Sequence, residues 1–124
     1  MAVTTSPFSD LISGSALIVD LDMDNTAEVN VRAGTTTLFS FDVDNSANGA
    51  ASYLKIWDSL SPTVGTTAPD YIFKIAASTR EVIDFDLGEG SAFSSGLSFA
   101  CVTAGGTGGT TSPTSNVIGR AVTS

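Results

Sequence analysis

The chain contains no histidine and a single cysteine, Cys101. The first absence removes the commonest general base and the commonest metal ligand together. The second excludes an intrachain disulfide framework. Cys101 stands in the apolar run Phe99-Ala100-Cys101-Val102 with no positive neighbour. It reads as a small buried hydrophobe rather than a nucleophile. Bases are scarce: Arg32, Lys55, Lys74, Arg80 and Arg120 are scattered among 13 acids, for a net charge of −8. A nucleic-acid surface needs clustered Lys and Arg, so no nucleic-acid partner is expected. The acidity reads as solubility and self-repulsion between copies. No apolar run approaches the length of a membrane span, so no membrane partner is expected. The start, MAVTTSPFSDLISG, has neither a basic head nor a continuous apolar stretch. No signal peptide is read there, and the chain is expected to be made in a cytoplasm.

What is present points to strands. The 124 residues suit one domain with its own core. Charged residues make up 15% of the chain, against roughly 25% in an average domain. Ser and Thr fill the gap, as suits strands and turns. Phe39, Phe41 and Val43 alternate with Ser40, Asp42 and Asp44, the period of a half-buried strand. Asn45 to Gly49 supplies turn chemistry, and Tyr53 to Trp57 forms the next strand. Pro62 and Pro69 bound a long loop. Further strands are predicted over Ser15–Asn25, Thr26–Ala33, Tyr71–Ala77, Glu81–Leu87, Gly96–Thr103 and Asn116–Thr123. In the first, Leu17, Val19, Leu21 and Met23 share one face, and Ile18, Asp20, Asp22 and Asp24 the other. In Glu81–Leu87 the inner face is Ile83, Phe85 and Leu87. Gly96–Thr103 is apolar on both faces and is expected to be central and doubly covered.

Eight short strands with turn signals and no amphipathic helix predict an all-β fold. The expectation is a two-sheet antiparallel β-sandwich, Greek-key or jelly-roll-like, with an extended N-terminal arm. The arm is residues 1–14 and the single sandwich domain residues 15–124. Phe8, Leu11 and Ile12 make the arm apolar without strand alternation. It is either a fraying terminus or an arm that packs on a neighbouring subunit through those three residues. Ala104–Ser115, AGGTGGTTSPTS, is a flexible loop or a long tip that orders against a partner.

No catalytic constellation stands out, so the chain is not read as an enzyme. A nucleophilic triad lacks its base. Acids are plentiful, but Trp57, Tyr53 and Tyr71 are too few aromatics for a glycoside-hydrolase cleft in a chain this small. Asp20-x-Asp22-x-Asp24-Asn25 resembles the start of a calcium loop. It lacks the central glycine, and Val31 stands where the closing glutamate belongs. Asp20, Asp22 and Asp24 are therefore read as a solvated acidic face, with a structural cation as the alternative, and no cofactor is expected. Tyr53, Lys55 and Trp57 share one strand face. Either loops cover that face, or Tyr53 and Trp57 form an exposed aromatic patch at a subunit contact.

Two stretches carry a resemblance: DVDNSANGAASYLKIWDSLSPTVGTTAPD, and further on FSSGLSFACVTAGGTGG. In their order they resemble small virion structural proteins of tailed bacteriophages, cyanophages among them. The resemblance spans about Phe39 to Gly109. It implies a non-enzymatic β-sandwich on the capsid exterior of a virion, made in the host cytoplasm. Within that class it implies a capsid cement, or decoration, protein that binds the major capsid protein shell and bridges capsomers. A homo-oligomer, trimer or dimer, is expected. Neck, tail or fibre placement is the alternative within the class. A free-standing carbohydrate- or Ca-binding sandwich module is the alternative outside it.

Overall fold

The computed structural model describes residues 3–7 and 15–124. Among them are nine strands: β1 Val3–Pro7, β2 Ala16–Met23, β3 Thr36–Asp44, β4 Ser52–Asp58, β5 Tyr71–Ile75, β6 Arg80–Asp84, β7 Ser91–Phe93, β8 Leu97–Val102 and β9 Val117–Thr123. They form two antiparallel sheets. One has the order β1-β2-β9-β3-β6, with β7 on the β3 edge beyond β6. The other has the order β5-β4-β8. Ile18, Leu38, Phe41, Val43 and Ala121 from the first sheet meet Leu54, Ile56, Ile75, Leu97, Phe99 and Cys101 from the second. This is the all-β, two-sheet sandwich that the alternation of apolar and polar residues predicts. Among the described residues no helix is long and apolar enough to cross a membrane.

Four details differ from the expectations. First, β2 turns its other face inward: Ala16, Ile18 and Asp20 are buried, while Leu21 is 53% exposed. The pairing of β2 with β9 shifts between Asp20 and Met23, and past that shift Met23 points inward again. Gly119 makes room there, since a Cβ on it would lie 2.6 Å from Met23 Sδ and 2.9 Å from Phe41 Cε1. Ala16 to Val19 is aliphatic at both parities, so alternation alone could not choose the inner face.

Second, Thr26–Ala33 is a crossing segment rather than a strand. It bonds the outer edge of β8 through Glu28 N to Phe99 O (2.9 Å), Phe99 N to Glu28 O (3.0 Å) and Val31 N to Leu97 O (2.9 Å). β8 is thus buried at every position, as expected, but lies at the sheet edge rather than its centre. Third, residues 3–7 of the expected arm pair with β2, Val3 opposite Asp20 and Pro7 opposite Ala16, and so extend the domain's own sheet. Fourth, β6 ends at Asp84. Phe85 is buried, but Leu87 is fully exposed on a short turn over Asp86–Gly88.

Candidate functional site

The face bearing Tyr53, Lys55 and Trp57 is covered by the molecule itself. Trp57 is 1% exposed, and its Nε1 donates to Thr67 O at 2.9 Å. Lys55 is fully buried, and its Nζ donates to Thr107 O (3.2 Å) and Gly109 O (2.9 Å). Burial pulls the lysine below its ordinary pKa. Gly105 lies on the Tyr53 ring so closely that a Cβ there would be 3.1 Å from Cε2. The exposed-patch expectation for Tyr53 and Trp57 is therefore corrected: Trp57 is enclosed, and Tyr53 is half-buried under a loop.

The same bonds order the Ala104–Ser115 loop against its own domain. Asn25 Nδ2 donates to Thr110 O at 2.8 Å, and Asn25 N donates to Ser112 Oγ at 3.1 Å. Thr103 N donates to Thr111 O at 2.9 Å. Asn48 closes the end: its Oδ1 accepts from Ser115 N (2.8 Å) and its Nδ2 donates to Ser115 O (3.0 Å). Asn45 lies beneath, fully buried. Its Nδ2 donates to Ala50 O, Ile75 O and Ala76 O, and its Oδ1 accepts from Asn48 Nδ2 and Ser52 Oγ. The shallow cavity beside it, about 280 Å³, is lined by Ala47, Asn48, Ser52, Thr103 and Pro113 among others. Its lining residues include no acid or base, and its amide, Asn48, and the Ser52 hydroxyl are bonded within the fold.

A second cavity of about 250 Å³ is bordered by Asp58, Asp70, Tyr71, Ser91 and Phe93. Its carboxylates are structural. Asp58 accepts from Ser94 N (3.2 Å), Ser95 N (2.8 Å) and Gly96 N (3.1 Å). Burial works against the charge, but these backbone donors prevail and hold Asp58 below the usual carboxylate range. Asp70 Oδ2 accepts from Asp58 N at 2.7 Å. Tyr71 Oη and Ser91 Oγ share a hydrogen bond of 2.6 Å.

The acidic stretch is not one solvated face. Asp20 is 1% exposed; its Oδ1 accepts from Asp22 N at 3.0 Å, and its Oδ2 has no partner among the described residues. Burial pushes its pKa up to about 7, and the charges of Glu28 and Asp22 push the same way against the Asp22 N–H. Glu28 is raised too, by burial first and then by Asp24 and Asp22. Asp24 Oδ1 accepts from Thr26 N at 2.8 Å, an Asx turn. The structure does not gather Asp20, Asp22 and Asp24 into a ligand set: among the described residues no three His, Cys, Asp or Glu side chains converge to hold a metal.

Phe8, Leu11 and Ile12 lie outside the described residues. Among the described residues two charged side chains are buried, Lys55 and Asp20, and the letters alone fix the burial of neither. Lys55 had one signal, a lone base inside the apolar run Leu54-Lys55-Ile56-Trp57. Asp20 had none, because its parity looked solvent-facing. No protein-family model, no curated protein and no solved structure matches the chain.

Proposed function

We propose that this chain is a non-enzymatic structural protein of a tailed-phage virion. In this reading it is a capsid cement protein that binds the outside of the major capsid protein shell and bridges neighbouring capsomers. The order of segments between Phe39 and Gly109 carries the reading. Its residues are the ones that tie the sandwich's loops: Asn45, Lys55 and Asp58 each bond a segment remote in sequence, and Trp57 bonds the loop that follows its own strand. A scaffold whose buried polar groups are used to fasten its own loops suits a clamp that must keep its shape on a shell. A net charge of −8 keeps free copies apart until a shell arrays them. Copies meeting at a shell symmetry axis need a ring-closing or self-complementary contact, so a dimer or trimer fits the same reading. No observation favours the sugar-binding alternative, whose platform would be the enclosed Trp57.

Co-sedimentation with purified shells of the major capsid protein that lack this chain tests the proposal. Saturable binding at micromolar or lower concentration is expected. Absence of binding at that concentration overturns it. Because β1 belongs to the domain's sheet, the arm is tested by replacing Phe8, Leu11 and Ile12 with serine rather than by truncation. Loss of shell binding in a folded variant is the expected result.

A further inference from the structure

The turn after β6 presents a side chain that the fold itself does not use. Asp86 and Leu87 adopt φ of +50° and +52° in succession, and Gly88 follows at +91°. The left-handed region suits glycine, asparagine or aspartate; leucine there is strained. Leu87 is also 100% exposed, so it gains no burial in return. The turn is nonetheless firmly built. Phe85 O accepts from Gly88 N (3.1 Å) and Gly90 N (2.9 Å), and Phe85 N donates to Phe39 O (3.0 Å). The buried Phe85 ring meets Tyr71 and Phe73 edge-on, at 5.4 and 5.7 Å between centroids. Gly90 lies so close to β3 that a Cβ would be 2.3 Å from Thr37 Cγ2. A leucine is thus held out from a firmly bonded turn, with the exposed acids Asp84, Asp86 and Glu89 within three residues of it in sequence.

Strained backbone that persists in an over-determined surrounding is the pattern of ligand clamps and contact sites. Preorganisation of this kind removes the ordering penalty that a floppy loop meets on binding. We propose that Leu87 is a preorganised anchor that enters an apolar socket rimmed by cationic groups on the major capsid protein shell. The apolar tip sets the socket, and the acids around it set the sign of the rim. This inference rests on the cement reading.

Leu87→Gly, Leu87→Asp and Leu87→Met test it, each assayed by thermal unfolding and by co-sedimentation with shells that lack the chain. Leu87→Gly is expected to raise the melting temperature, because glycine relieves the left-handed strain, and to weaken shell binding about tenfold or more. Leu87→Asp should weaken binding at least as much, and Leu87→Met should keep it within about threefold of the wild type. Added salt should weaken wild-type binding if a cationic rim faces the acids. Saturable wild-type binding that Leu87→Gly and Leu87→Asp leave within about twofold overturns the anchor and leaves the cement reading standing. Wild-type protein that does not bind shells overturns both.

Discussion

Among the described residues two charged side chains are enclosed in this sandwich, and they are treated in opposite ways. Lys55, on the outer face of β4, is met by two backbone carbonyls from a loop more than fifty residues away in sequence. Asp20, on the inner face of β2, has one carboxylate oxygen with no partner among the described residues and two further acids near it. Burying a charge is expensive unless it is paired or hydrogen-bonded. At Lys55 that requirement is met, and the lysine becomes a fastener for the Gly- and Thr-rich loop. At Asp20 it is not met, and the carboxyl responds by holding its proton towards neutral pH. The lesson is that charge inside this fold is not a site by default. One is scaffold, the other a pH-dependent weakness.

Lys55→Ala is the sharpest way to break the first half of that contrast. It leaves a cavity and orphans two carbonyls, so a loss of about 4–5 kcal/mol in urea unfolding is expected. Lys55→Met, which fills the volume but still orphans the carbonyls, should lose about half as much. Equal stability of both variants and the wild type would mean the loop is held without Lys55. For Asp20 the sign runs the other way. A folded-state pKa of about 7 lies above the ordinary 3.8, so the folded protein keeps a proton that the unfolded chain gives up. Stability from this group is therefore full below about pH 4 and falls as pH rises to about 7, by up to about 4 kcal/mol. Asp20→Asn should flatten that slope and leave the protein more stable than wild type at pH 8. A slope unchanged by the substitution would assign it to other carboxylates.

How much of this could be read from the letters differs by region. Strands β3, β4, β5, β8 and β9 were legible because each has an apolar face or core bounded by turn residues. β2 was legible as a strand but not in parity. β1, the polar Val3-Thr4-Thr5-Ser6-Pro7, offers no apolar periodicity at all. Its place is decided by the free edge of β2. Thr26–Ala33 alternates like a strand, yet its Val29 is 48% exposed, because the segment passes along β8 with few ladder bonds. Grouping Tyr53, Lys55 and Trp57 on one face was correct. Cover by loops was one of the two readings open for that face; which loops supply it was not legible, since the acceptors for Lys55 and Trp57 are backbone carbonyls, and every residue carries one. Leu87 was lost for a related reason: the alternation Ile83-Phe85-Leu87 continues in the letters while the backbone turns left-handed at Asp86.

Gly119→Ala sharpens the contrast from the Asp20 side with a smaller effect. Gly119 pairs with Asp20 across β2 and β9, and it leaves room for Met23 and Phe41. An added methyl presses on both Met23, whose thioether is adaptable, and Phe41, which packs edge-on against Phe99 at 5.1 Å. Overpacking of this kind costs about 1–3 kcal/mol, and the lower half of that range is expected if Met23 is what moves. Urea midpoints of the wild type and the variant at one pH measure that loss. A variant as stable as the wild type would mean that the core around Gly119 takes up the methyl without strain.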